Sequence, residues 1–164
     1  LPPPATPALY TETKSSAASD VYKRQVLDSL ITMLKHNVWT EIVYLVVPTL
    51  NDSEKEFSDL AKWIKKYLGS NVPIHFTRFH PSYLIKNLPP TPVKTLERAW
   101  EIARAEGLNY VYIGNVPGHD AENTVCPACG EIVISRRGYF IKDIAIESGR
   151  CVNCSSEIAG KWDH

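Results

Sequence analysis

The chain lacks several features that would place it in a broad class at once. No stretch approaches the about 18 consecutive apolar residues of a membrane-spanning helix. Neither charge is in excess, because the 18 Lys and Arg residues are balanced by 18 Asp and Glu residues. That balance removes the main electrostatic basis for a nucleic acid or an anionic membrane as principal partner. The first 125 residues hold no cysteine, so thiolate chemistry is confined to the C-terminal part of a chain whose composition is otherwise globular.

The opening segment does not resemble natural protein. Ser15–Gln25 reads SSAASDVYKRQ, which matches the translation of a transposase-based sequencing adapter codon by codon. Residues 1–14 would be flanking adapter sequence, and the alternative for the whole segment is a Ser/Ala-rich linker before a helix. We therefore expect residues 1–25 to be non-native and disordered, with the natural sequence, truncated at its N-terminus, starting near Val26.

Residues 26–120 repeat a pattern of helix followed by strand. Helices are predicted after Val26, after Ser53 as N-cap of a capping box, and after Thr91 as N-cap; strands are predicted at Glu41–Val47, Val72–Phe79 and Asn109–Ile113. The first strand has little alternation, which is typical of a strand buried on both faces of a parallel sheet. Three βα units cannot close a barrel. The α/β fold is therefore the last part of a (β/α) barrel or an open doubly wound sheet, with ligands at the carboxyl ends of the strands.

Residues 121–164 form a cysteine module. Cys126 and Cys129 are one Cys-x-x-Cys pair, and Cys151 and Cys154 are a second pair after a 21-residue spacer. This spacing predicts a small β zinc ribbon whose four thiolates fill the tetrahedron of a structural ion. The alternatives are disulfides, a rubredoxin-like iron site or a labile cluster. Ser155 stands where a second knuckle often has glycine.

The spacer between the two pairs predicts a hairpin. Its two strands flank Arg136-Arg137-Gly138, which would bring the cysteine pairs together. At such a tip the two arginines are expected to be solvated.

Taken together, these segments resemble one family over Val26 to about Trp162. The segments that carry the resemblance are Val46–Asp52 (VVPTLND), Phe76–Tyr83 (FTRFHPSY), Leu88–Glu97 (LPPTPVKTLE), Tyr110–His119 (YVYIGNVPGH), Glu122–Thr124 (ENT), Arg137–Phe140 (RGYF), and the two cysteine pairs with Glu157–Gly160 (EIAG). The chain resembles the C-terminal half of the AmmeMemoRadiSam system radical SAM enzymes, which are similar to pyruvate formate-lyase activating enzymes.

The resemblance implies a partial (β/α)6 barrel that binds a [4Fe-4S] cluster and S-adenosylmethionine. The cluster would reductively cleave S-adenosylmethionine to a 5′-deoxyadenosyl radical, which abstracts hydrogen from an unknown substrate. The family holds its cluster with Cys-x-x-x-Cys-x-x-Cys, and this sequence has no such triplet. We therefore expect an enzyme as the parent protein and no activity from this chain. The resemblance also implies a cytoplasmic location, an electron donor, and Memo-like and AMMECR-like partner proteins.

Site roles follow from the same resemblance. His80, Arg78, Val47 and Pro48 would contact S-adenosylmethionine, whereas Asn115 and His119 are loop positions near the substrate without an assigned role. His80 could instead bond a loop carbonyl, and Arg78 could pair with Glu41. Asn51 and Asp52 are interpreted as turn and cap residues.

A second class of function stays open at this point. The chain could be a non-enzymatic α/β scaffold whose zinc ribbon binds a protein or a nucleic acid. Neutral charge and few aromatic residues in the ribbon weigh against nucleic acid.

Overall fold

The computed structural model describes residues 17–82 and 86–162. Its helices are α1 (Ala17–Lys35), α2 (Glu54–Tyr67) and α3 (Val93–Ala105), with a 3-10 turn at Asp120–Glu122; its strands are β1 (Ile42–Val46), β2 (Ile74–Arg78), β3 (Val111–Gly114), β4 (Thr124–Val125), β5 (Ile132–Arg137), β6 (Phe140–Ile144), β7 (Ile146–Glu147) and β8 (Arg150–Cys151). The predicted mixed α/β class is confirmed. Tyr83 and the adapter-like residues 1–16 lie outside the described residues.

Strands β1, β2 and β3 form a parallel sheet in chain order. Side chains alternate across it, so that Ile74 and Phe76 on β2 are fully buried while His75 between them is only partly buried. All three helices pack on the buried face. The core there includes Leu27 of α1, Phe57 and Ile64 of α2, Leu96 and Ala99 of α3, and Val46, Ile74, Phe76, Val111 and Ile113 of the sheet.

The opposite face of the sheet is open along β1, which corrects one expectation. Strand β1 was expected to be buried on both faces, but Val43 and Leu45 are 69% and 45% exposed. The physical reason is that the described helices all cover the other face, and β1 is an edge strand with β2 as its neighbour. We call the surface that carries Val43, Leu45, His75, Thr77 and Tyr112 the open face.

The capping pattern in the sequence predicted the start of helix α2 correctly, but not every helix cap was predicted. The Ser53 hydroxyl accepts a hydrogen bond from the Glu56 amide at 3.3 Å, and the Glu56 carboxylate accepts one from the Ser53 amide at 3.4 Å, so the capping box is confirmed. Helix α1 begins at Ala17, within the adapter-like segment, where Ala17 and Ala18 favour helix.

The expectation that Thr91 caps α3 is wrong, because the N-cap is Pro92. The Thr91 side chain is fully buried instead. Its hydroxyl donates to the carbonyl of Val46 and accepts from the amide of Phe79 at 3.1 Å. Thr91 therefore fastens the carboxyl ends of β1 and β2 to the start of the helix.

The C-terminal module packs directly on the sheet. Strands β4, β5 and β6 form an antiparallel sheet, and β7 pairs with β8. Tyr110, which precedes β3, shares a buried cluster with Val133, Ile158 and two of the cysteines. The Tyr110 hydroxyl also accepts a hydrogen bond from the Ala159 amide at 3.1 Å.

The predicted hairpin is present with a shifted turn. Arg136 and Arg137 belong to β5, and the turn lies at Gly138 and Tyr139. Arg136 is partly buried, so its expected solvation is wrong for that residue and right for exposed Arg137. No helix among the described residues is long and apolar enough to cross a membrane.

Candidate functional site

The four cysteines converge on one point of the C-terminal module. All four Sγ atoms of Cys126, Cys129, Cys151 and Cys154 lie within 4.8 Å of one another. Two of the sulfur pairs, 126–154 and 129–151, are 3.6 and 3.8 Å apart. A tetrahedral ion with metal–sulfur bonds of about 2.3 Å separates its ligands by about 3.8 Å, whereas a disulfide needs about 2 Å. The cysteines are free, and their arrangement fits a four-thiolate metal site.

Each cysteine pair sits on the same kind of tight turn. The Gly130 amide donates to the Cys126 carbonyl at 3.0 Å, and the Ser155 amide donates to the Cys151 carbonyl at 2.8 Å. Gly130 has φ 80° and Ser155 has φ 59°. Both turns therefore need a left-handed residue, which glycine provides freely and serine adopts at a cost.

Burial divides the four thiols into two kinds. Cys126 and Cys151 are buried and Cys129 and Cys154 are exposed. Burial raises the pKa of the Cys126 thiol to about 11, and hydrogen bonds from the side chain and backbone of Ser156 lower the pKa of Cys154 to about 6. A bound cation would have to displace the proton of the Cys126 thiol to gain that sulfur as a thiolate ligand. Zinc, which favours four-thiolate tetrahedral coordination, fits this donor set, and four thiolates would leave such an ion no open position.

Val47 and Pro48 lie where β1 ends, in a loop that Asn51 organises. The Asn51 side chain accepts from the Val47 amide at 2.7 Å and donates to the Leu45 carbonyl at 2.9 Å. The Val47 carbonyl accepts from the amides of Leu50 and Asn51. Asn51 is thus a turn residue, as the sequence suggested, and the Val47 backbone is already bonded within the loop.

Arg78 and His80 follow on β2 and the loop after it. The Arg78 Nε donates to the Thr91 carbonyl at 2.8 Å. The suggested alternative, an ion pair with Glu41, is not formed, because the Glu41 carboxylate lies 2.8 Å from the His75 Nε2. His80 is exposed at the carboxyl end of the sheet.

Asn115 and His119 lie on the loop after β3. Asn115 has φ 60° and donates from its amide to the Arg78 carbonyl at 3.2 Å, which joins the ends of β2 and β3. His119 is the N-cap of the 3-10 turn: its Nδ1 accepts from the Ala121 amide at 3.1 Å. That leaves Nε2 as the protonated nitrogen of a neutral ring, facing the Glu97 carboxylate at 3.3 Å. The structure therefore brings Arg78 and Asn115 together and directs His119 toward α3.

A group of polar residues beside the open face was not predicted from the sequence. His75 stacks on Tyr112 with ring centroids 4.8 Å apart, and the Arg136 guanidinium lies 5.9 Å from the centroid of the same ring. Glu41 bonds His75 and, at 3.0 Å, the Trp39 indole. The alternation of apolar and polar residues in Ile74-His75-Phe76 is the sequence pattern that could have indicated this polar group.

The pKa of Glu41 reflects this arrangement. Burial opposes its ionisation, but the hydrogen bonds from Trp39 and His75 and the charges of His75 and Arg136 outweigh burial. The net result is a Glu41 pKa below its ordinary value. The open face thus holds an ionised carboxylate at neutral pH.

No family model matches the chain. The chain is similar to an uncharacterized protein of Methanocaldococcus jannaschii, with 40% identity over 149 residues that cover 85% of this chain and 45% of that protein. The chain thus spans less than half the length of the curated relative it matches.

Proposed function

We propose that this chain is the C-terminal part of a radical SAM enzyme of the AmmeMemoRadiSam type, consisting of three βα units of a partial (β/α)6 barrel and a structural zinc ribbon. The support begins with the sheet. Its strands follow one another in chain order, and the described helices all cover one face. A doubly wound sheet carries helices on both faces, whereas a barrel wall carries them only outside.

The open face is the main observation that supports the proposal. Exposed Val43 and Leu45 lie beside polar His75 and Thr77 on a surface that the helices leave uncovered. In a barrel this surface would be the inner wall, closed by further strands. The relative's greater length leaves room for those strands, since this chain covers 45% of it.

The residues present fit zinc but not the iron–sulfur cluster. The four cysteines are gathered in one ribbon site, and the sequence contains no Cys-x-x-x-Cys-x-x-Cys. The chain's own residues therefore perform no step through the cluster, and we propose that the parent protein supplies that triplet. In the parent, His80, Arg78, Val47 and Pro48 remain our proposed contacts to S-adenosylmethionine. A cytoplasmic location, an electron donor and Memo-like and AMMECR-like partners belong to the same proposal.

One observation favours a second candidate, a protein-binding ribbon without enzymatic activity. The hairpin tip exposes Tyr139 completely and Phe140 to 79%. Large apolar side chains at an exposed tip are a feature of surfaces that dock partners.

The test is to obtain the complete gene and reconstitute its product with iron and sulfide. The proposal predicts a Cys-x-x-x-Cys-x-x-Cys upstream of Val26 and about four irons per chain in addition to about one zinc. The reduced protein should show the electron paramagnetic resonance signal of a [4Fe-4S] cluster. An intact reading frame without the triplet, and a product that retains zinc alone, would favour the binding module.

A further inference from the structure

A cavity of about 420 Å³ lies between the open face and the ribbon hairpin. The residues that matter to its chemistry are Glu41 and His75 from the sheet, Asn115 from the loop after β3, Glu122 from the 3-10 turn, and Arg136 and Gly138 from the hairpin. Its volume is within the range of small-molecule sites, about 300–1,000 Å³. The cavity therefore has both size and convergent polar groups.

Arg136 brings to this cavity a positive charge that acts on Glu41 from a distance but that no carboxylate contacts. Its guanidinium donates to the Thr124 hydroxyl at 2.6 Å and to the Glu122 backbone carbonyl at 3.3 Å, and both acceptors are neutral. Within residues 17–82 and 86–162, no carboxylate lies within 4.0 Å of it. Both hydrogen bonds are made by one nitrogen of the guanidinium. They hold the group in place and leave N–H donors on its other nitrogens available.

The two carboxylates that line the cavity are already occupied. Glu122 accepts from the amides of Gly118 and Gly138, each at 2.6 Å, and from that of His119 at 3.3 Å. Glu41 is bonded to His75 and to the Trp39 indole. The Arg136 guanidinium, whose charge already acts on Glu41, has no carboxylate in contact with it and keeps donors for a further acceptor.

We propose that this cavity binds the oxyanion group of a small organic ligand, a carboxylate or a phosphate, with Arg136 as its charge partner. A guanidinium fork suits both groups because it forms two parallel hydrogen bonds to either. Asn115 and His75 line the same cavity as further polar residues. The inference rests on this geometry and not on the cluster chemistry of the proposed function. It gives the ribbon a recognition residue in addition to its metal site.

The test is a titration of the zinc-loaded full chain with inorganic phosphate in one arm and acetate in the other, followed by nuclear magnetic resonance. Saturable shifts of the Arg136 Nε–H signal and the Gly138 amide are expected. Arg136→Gln should weaken binding about tenfold or more, because a hydrogen bond to a charged group contributes about 1.5–3 kcal/mol. The matched control is Arg137→Gln, which removes the same charge from the exposed neighbour; it should stay within about twofold, as expected of a surface substitution.

The arms separate the two sources of oxyanion. Saturation by phosphate alone identifies a phosphate ester, and saturation by acetate alone identifies a carboxylate. If neither ligand saturates, or if both variants weaken binding equally, the proposal is wrong. Should Arg136→Gln lose its zinc or its cooperative unfolding, the unsubstituted chain decides: the Arg136 Nε–H signal must shift and that of Arg137 must not.

Discussion

The carboxylate of Glu122 links the loop after β3 to the ribbon hairpin by hydrogen bonds. Replacing it by glutamine should destabilise both segments. One carboxylate oxygen accepts from the Gly118 amide at 2.6 Å and from that of His119 at 3.3 Å; the other accepts from the Gly138 amide at 2.6 Å. Glu122→Gln keeps a single oxygen and turns an amide N–H toward the remaining donor.

A hydrogen bond to a charged group contributes about 1.5–3 kcal/mol, and the partly exposed position of Glu122 places the loss at the lower end, about 1.5 kcal/mol. The assay is hydrogen exchange of the Gly138 amide in the zinc-loaded protein. Its exchange should accelerate about tenfold, since about 1.4 kcal/mol is a factor of ten.

The matched control for this substitution is Glu131→Gln, at an exposed ribbon position. It should leave Gly138 exchange unchanged. Equal exchange rates in the two variants would refute the reasoning, because the bonds to Glu122 would then contribute no stability.

Three further substitutions test other parts of the structure. Cys126→Ser removes one of four thiolates, so bound zinc should fall from about one per chain to a small fraction of that by elemental analysis; full zinc retention would contradict the site. Ser155→Gly removes the strain of a left-handed serine, about 1–2 kcal/mol, and adds an entropic cost of about 0.5–1 kcal/mol, so urea unfolding should show a net gain in the free energy of unfolding between zero and about 1.5 kcal/mol; a loss would contradict the turn geometry. Thr91→Val leaves the buried Phe79 amide without its acceptor, which should lower the free energy of unfolding by about 1–3 kcal/mol; a neutral effect would show that the hydroxyl is dispensable.

Features with local causes were predictable from the sequence. The capping box needs only Ser53 and Glu56, three residues apart, and each cysteine knuckle needs only its own Cys-x-x-Cys turn. Ser155 was recognised as an awkward knuckle residue for the same reason, and its φ of 59° agrees.

Features that depend on distant partners were not predictable. Thr91 has the character of a helix cap, yet tertiary packing directs its hydroxyl to strands far away in the sequence. Arg136 sits at what the sequence presents as a solvated tip, and only the packing of the hairpin on β3 turns it toward Tyr112. The pairing of Glu41 with His75 likewise depends on strand register, which no short motif encodes.

The prediction that β1 is buried on both faces is wrong for a different reason. The β-branched residues of β1 are typical of a strand that is packed on both faces. In the described residues only one face of β1 is covered. This mismatch is itself a reason to propose that further barrel strands precede this segment.

The most direct test of the central claim is the product formed from S-adenosylmethionine by the complete, reconstituted and reduced protein. We predict 5′-deoxyadenosine and methionine in equal amounts, with formation abolished when the upstream cysteine triplet is replaced by alanine. A cluster-loaded protein that binds S-adenosylmethionine but releases no 5′-deoxyadenosine above the level of the alanine variant would contradict the account.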